Sequence, residues 1–182
     1  MKTKSEIRNF AKKARDGFPA DYIAEKSGEV IQNLLSHYPE IKEKTVMSYK
    51  SIRGEINLDN LENHISSKVF YPVIENGIVV AKSENFQIGA FGIYEPTCGE
   101  IEKEKIDICL IPGVAFSKNM QRIGFGKGFY DVFLQNFKGI KIGITYENLM
   151  VETINPDKFD IPMDIIITEK NIYGNIHKKG QA

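Results

Sequence analysis

Residues 106–111 read Ile-Asp-Ile-Cys-Leu-Ile, an apolar run with almost no polar side to leave in water, and Pro112-Gly113 ends it. A strand of that kind has to be covered on both faces, which is the situation of a central strand in a parallel sheet. Strand-like runs also occupy 45–49, 68–73, 78–81, 140–145 and 164–168, the last one expected. Glu75-Asn76-Gly77 joins the second and third as a hairpin. Helical spacing fills other stretches. Thr3 and Glu6 have the spacing of a capping box, and Ile7, Phe10, Ala11 and Ala14 follow on one face as far as Arg15. A second helix is expected over Asp21–His37, with Ile23, Ser27, Val30, Ile31, Leu34 and Leu35 facing inward and His37 at its C-terminal end. A third, capped by Asn57, would carry Leu58, Leu61 and Ile65 with His64 outside; a fourth would run over Gly128–Asn136. The stretch through Phe86, Phe91, Tyr94, Pro96 and Gly99 reads as irregular and aromatic, and 178–182 as a frayed tail. Alternating strands and helices predict an α/β fold, a single domain over 1–182 with a mostly parallel central sheet flanked by helices.

The segment after the apolar strand carries the chemistry. Arg122-Ile123-Gly124-Phe125-Gly126-Lys127-Gly128-Phe129-Tyr130-Asp131 alternates three glycines with other residues, carries the cations Arg122 and Lys127, and closes on a carboxylate. Repeated glycines let a loop turn so that several backbone N–H groups face one anion. A helix starting near Gly128 adds its positive end, and Asp131 would sit where it can share a divalent cation with phosphate oxygens. The loop is not a Walker A sequence, because Lys127 is followed by Gly128 and not by Ser or Thr. Nor is it a dinucleotide fingerprint, since the third glycine comes one residue too early. It reads as a polyphosphate–metal site, most economically a nucleotide.

Other candidates are placed by the strands. Lys50 and Glu55 follow the run 45–49, where open α/β sheets hold their ligands. Asp157, Asp160 and Asp164 lie in a proline-stiffened segment before the last expected strand and offer a second carboxylate for the metal at Asp131. Lys4, Arg8 and Lys12 stripe the first helix; taken alone such a stripe is a solvated face. With 24 basic and 24 acidic residues the formal charge is zero, which argues against nucleic-acid binding through bulk charge. Cys98 and Cys109 are the two cysteines, with no neighbouring His or Cys to form a zinc site, and Cys109 reads as a small buried hydrophobe. No stretch has the length of a membrane span and the start has no secretory apolar region, so the cytoplasm is the expected compartment.

Together these stretches resemble the 5-formyltetrahydrofolate cyclo-ligase family over nearly the whole chain. The anchors are Lys4 and Arg8, Met47 to Glu55, Phe91 to Pro96, Ile111-Pro112-Gly113-Val114-Ala115-Phe116, the glycine loop, and Asp160-Ile161-Pro162-Met163-Asp164 through Glu169. The resemblance implies a three-layer scaffold like that of sugar-phosphate isomerases and CoA-transferases, and MgATP-dependent formation of 5,10-methenyltetrahydrofolate. It implies ATP contacts from Lys4, Arg8, Arg122, Ile123, Gly124, Phe125, Gly126, Lys127, Gly128, Phe129 and Tyr130. Lys50, Glu55 and the loop's middle, Phe125 to Phe129, would line the folate site. Asp131 and Asp160 would hold Mg2+, with Asp164 supporting that end, and Arg122 and Lys127 would be the catalytic pair. Partners would be small molecules only, with no nucleic acid or membrane, and the protein is expected to be a monomer. Where the family commonly has Asp-x-x-Gly, this chain has Ser117-Lys118-Asn119-Met120, and Asn119 is the residue expected to take the positive φ of that turn. Two other readings stand beside the resemblance: a phosphate-ligand enzyme on a related scaffold, which would use the same loop, and a non-catalytic nucleotide- or RNA-binding module, whose support is the stripe Lys4, Arg8 and Lys12.

Overall fold

The apolar run 106–111 becomes the middle of a seven-stranded sheet. The computed structural model describes residues 2–89 and 92–174, so Phe91 and the tail 178–182 lie outside the described residues. In chain order the elements are α1 (Lys4–Asp16), α2 (Ala20–His37), β1 (Val46–Met47), β2 (Val69–Glu75), β3 (Ile78–Lys82), β4 (Glu84–Ile88), β5 (Tyr94–Cys98), β6 (Ile108–Pro112), β7 (Ala115–Ser117), β8 (Arg122–Ile123), α3 (Phe129–Leu134), β9 (Ile140–Ile144), β10 (Met150–Val151), β11 (Ile165–Ile167) and β12 (Ile172–Gly174). The large sheet has the order β12-β11-β9-β6-β1-β2-β3. From β11 to β2 every neighbour is parallel, and antiparallel β12 and β3 close the two edges.

Each central strand feeds two cores, because successive side chains leave opposite faces of a strand. Ile108 and Leu110 join Val46, Ile165 and Ile167 under α1 and α2, where Ile7, Ala11, Val30, Ile31 and Leu34 pack. Cys109 and Ile111 join Met47 and Ile166 on the other face, under Phe133, Leu134 and Phe137 around α3. This is the three-layer arrangement expected. The Cys109 thiol is buried and its pKa is raised by that burial, as befits a packing residue. At the start of α1, Thr3 and Glu6 form both halves of the capping box. Asn76 and Gly77, at φ 50° and 79°, form the two-residue turn of the β2–β3 hairpin.

Several elements differ from the reading of the sequence. The third helix is a short 3-10 turn, Asp59–His64; Asn57 Oδ1 does accept the Asp59 N–H at 2.7 Å, but the turn ends at His64. The aromatic stretch is an ordered antiparallel ribbon, β4 with β5, whose Phe86 and Tyr94 rings stack at 6.3 Å. Between β6 and the glycine loop the chain makes β7 and β8, which join β10 in a small second sheet. The helix after the loop stops at Leu134, and β12 follows the strand expected to be last. In the 117–120 turn the positive φ, 66°, falls on Met120 and not Asn119. Asn119 has a different job: its amide clamps the backbone N–H and C=O of Ile154 at 3.1 and 3.0 Å.

Candidate functional site

Beyond the carboxyl ends of β1 and β6 lies a cavity of about 710 Å³. The short parallel strands end there, and the irregular segments that follow them form its walls: Tyr49 to Glu55 after β1, Pro112 after β6, and the whole stretch Arg122 to Asp131. The start of α1 and the segment with Asp157 and Asp160 complete the rim, while Tyr71, Ile74, Ile93 and Tyr94 form an apolar side.

The glycine loop faces this space with its backbone. Gly126 and Gly128 sit at φ 98° and 71°, the left-handed region that favours glycine, and a Cβ at either would meet nothing. Their requirement is conformational, and the open side is the cavity. Lys127 is exposed and makes no ion pair among the described residues. Arg122 is drawn inward, its side chain 6% exposed, and its Nη2 donates to Asp131 Oδ1 at 2.9 Å. The Arg122 guanidinium also lies 5.4 Å from the centre of the Tyr130 ring. Arg122 Nε and the Tyr130 hydroxyl are buried without partners among the described residues. Burial keeps that hydroxyl neutral by pushing its pKa well up. Both residues belong to the lining of the cavity.

The stripe on α1 is not a freely solvated face: its three cations line the cavity and are engaged by neighbouring segments. Lys4 bridges Asp157, at 2.7 Å, and Asp160; Arg8 Nε donates to Gly124 O at 2.9 Å; Lys12 lies over the Phe125 ring at 5.3 Å. Burial disfavours the Lys4 charge, but Asp157 and Asp160 outweigh it and raise its pKa. A second network surrounds Lys50, whose Nζ contacts Asp59 at 2.8 Å and Glu62 at 3.0 Å and lies 4.4 Å from the Tyr71 ring centre. Glu55 is buried, 5% exposed, and its Oε2 accepts the Ile52 N–H at 3.0 Å. Desolvation lifts its pKa to about 7, against the pull of Arg15 and of that N–H.

The structure thus brings Lys4, Arg8, Lys50, Glu55, Arg122 through Asp131, and Asp160 to one cavity. It does not bring Asp164, which accepts both the backbone N–H and the Nζ of Lys141 at 2.8 Å at the far end of β9. Reading the sequence alone missed Arg15 and Arg53. Arg15 continues the α1 stripe three residues after Lys12, a signal hidden because it pointed into the protein. Arg53 lies 6.0 Å from the Phe125 ring, in a turn whose two central residues, Arg53 and Gly54, both have positive φ. Asp131 and Asp160 also border a smaller cleft beside the main cavity, with Val132 and Phe159 exposed at its edge. Among the described residues no three His, Cys, Asp or Glu side chains gather into a protein-only metal cluster. Asp131 and Asp160, two carboxylates in the lining beside the glycine loop, match the donor set of magnesium, which is usually held by one or two carboxylates together with substrate phosphates.

Known proteins share this architecture. A model of the 5-formyltetrahydrofolate cyclo-ligase family matches residues 1–169. The chain is 26% identical to the 5-formyltetrahydrofolate cyclo-ligase of Haemophilus influenzae, over 90% of this chain and 97% of that one. The NMR structure of Aquifex aeolicus 5,10-methenyltetrahydrofolate synthetase superposes with a TM-score of 0.85 at 34% identity, covering 94% of this chain and 92% of the other. The 5,10-methenyltetrahydrofolate synthetase of Mycoplasma pneumoniae gives a TM-score of 0.76 at 25% identity, covering 92% and 99%. With the family match running from the first residue past the final parallel strand, and the glycine loop opening on the cavity, the chain belongs to the 5-formyltetrahydrofolate cyclo-ligase family.

Proposed function

We propose that this protein closes 5-formyltetrahydrofolate to 5,10-methenyltetrahydrofolate, with MgATP consumed to ADP and phosphate. The observation that carries the reading is the shared cavity: a cation-flanked glycine loop and a buried carboxyl with an apolar wall open on the same space. One half suits a polyphosphate, the other a flat, partly polar heterocycle. Residues 1–182 act in this reading as a single domain.

A formamide carbonyl is a weak electrophile and its oxygen a poor leaving group. Passing the γ-phosphoryl group to the formyl oxygen remedies both; N10 of the folate then attacks the activated carbon and phosphate departs. Such a reaction asks the protein for positioning and charge neutralisation and needs no protein nucleophile. Lys4 and Arg8 hold phosphates from α1, the loop N–H groups from Ile123 to Tyr130 cradle them, and Arg122 and Lys127 face the transferring group. Lys50, Glu55 and Phe125 to Phe129 hold the folate. Asp131 and Asp160 would hold magnesium, exchanging their present partners Arg122 and Lys4 for it. Magnesium, when bound, neutralises phosphate charge. The partners are small molecules, and among the described residues no helix is long and apolar enough to cross a membrane. A monomer in the cytoplasm is the simplest setting.

The test is a steady-state assay of the purified protein with 5-formyltetrahydrofolate, following methenyl absorbance with and without MgATP. Product only with MgATP is the expected result. ATP binding without product would put the folate half in error, and neither binding nor product would end the nucleotide reading of the loop.

A further inference from the structure

Arg15, in the last turn of α1, is 3% exposed, less than any other cation among the described residues. Its contacts tie together three separate walls of the cavity. Nη1 donates to Gly113 O at 3.1 Å, where the chain leaves β6. The same nitrogen lies 3.6 Å from Glu55 Oε1, in the segment after β1. The guanidinium lies 5.3 Å from the centre of the Phe125 ring in the glycine loop. Its backbone carbonyl presses on Gly54, where a Cβ would approach to 3.0 Å. Burying an Arg–Glu pair this completely is seldom the way to gain stability, because desolvation consumes the attraction. The pair is better explained by what it presents: Glu55 lines the cavity and Arg15 stands behind it.

We propose that Arg15 is a positioning residue for the folate half of the reaction, fixing Glu55, the Gly113 corner and Phe125 so that the Glu55 carboxylate meets the N–H edge of the reduced pterin as a preset acceptor. The proposal rests on the cyclo-ligase reading. The other groups facing Glu55 are the Ile52 N–H and the hydroxyls of Tyr49, Tyr130 and Tyr146, which burial keeps neutral. Among the described residues, Arg15 is therefore the charge that favours the ionised carboxyl.

The experiment uses the full chain with Arg15→Met, Arg15→Lys and Glu55→Gln. Wild type is assayed first; absence of methenyl product there would sink the function, and the positioning would still be read from a carbon-13 carboxyl NMR titration of Glu55. In Arg15→Met we expect KM for 5-formyltetrahydrofolate to rise about tenfold or more, with KM for MgATP within about twofold, the pattern of lost binding to one substrate. The Glu55 titration should move up by about 1–3 units once its cationic neighbour is gone. Added to Glu55→Gln, Arg15→Met should cost less than about twofold more, because the two act as a unit. Arg15→Lys keeps the charge and most of the stem, so it remains informative if Arg15→Met does not fold. It should leave the Glu55 titration in place yet raise the folate KM severalfold, since an ammonium lacks the planar fork that serves Gly113, Glu55 and Phe125 together. Equal rises in both KM values, an unmoved titration in Arg15→Met, or a wild-type folate KM in Arg15→Lys would each overturn the proposal.

Discussion

Two residues of this site carry opposite burdens. Arg122 is a cation withdrawn from water, tethered to Asp131 and left with an unpaired Nε. In a dry site such a donor gains most where charge develops, so Arg122→Ala should lower kcat by roughly two to three orders of magnitude; unchanged turnover in the methenyl assay would remove Arg122 from the chemistry. Glu55 is an acid made reluctant to ionise. Its pKa in the folded protein is about 7 against an ordinary 4.5, so the folded state takes up its proton before the unfolded chain does. The stability this gives is complete below about pH 4.5 and is lost as pH rises through 7, a swing of about 3 kcal/mol at 1.36 kcal/mol per unit. Denaturant unfolding at a series of pH values should show that slope in wild type and a flatter one in Glu55→Gln; matching slopes would contradict it. Of these residues, Arg122 was legible as sequence because its motif is local. From its own position Glu55 was legible only as a charge after a strand, its folate-site role coming from the family resemblance, and its partner Arg15 was not seen, since burial of a cation is decided by distant segments such as Gly113.

Among the elements, legibility followed periodicity. β6 and α1 announce themselves through runs long enough to repeat, and both formed nearly where expected. The β4–β5 ribbon did not, because Pro96 sits inside it and its burial alternates poorly: it is held by pairing and by the Tyr71–Phe86–Tyr94 rings. β12 has three residues and exists only because β11 offers an edge. A subtler lesson lies in β9. Gly143 interrupts the apolar side chains of the strand and makes room for the fully buried ring of Phe116, whose Cε1 would stand 2.5 Å from a Cβ placed there. On the other side of that ring Gly113 stands equally close, with Cε2 at 2.5 Å. The ring has nowhere to move, so Gly143→Ala should overpack the sheet and cost about 1–3 kcal/mol. At roughly 2–4 °C per kcal/mol for a chain of this size, thermal unfolding would register it clearly. A Tm within a degree of wild type would mean that Phe116 yields.

For the whole molecule the decisive fact is how widely the cavity gathers the chain. Its lining runs from Lys4 in the first helix to Asp160 just ahead of the final parallel strand, so a ligand there ties the α1 end to the segment before β11. Binding to the folded state alone stabilises it by mass action, about 2.7 kcal/mol at a hundred times Kd. With the same scaling as above, MgATP at that level should raise Tm by roughly 5–11 °C. In the proposed reading the shift has two parts, because phosphates would meet Lys4, Arg8 and the loop directly, whereas the increment from magnesium would pass through carboxylates now paired with cations. ATP with a chelator should therefore give a smaller shift than ATP with magnesium. In Asp160→Asn, Lys4 loses one of its two anionic partners and remains available to phosphate, so the chelated shift should persist or grow. The magnesium increment should fall in that variant and in Asp131→Asn alike. If it survives undiminished in both, the metal is held elsewhere, and the rim formed by Asp131 and Asp160 serves only to anchor Arg122 and Lys4.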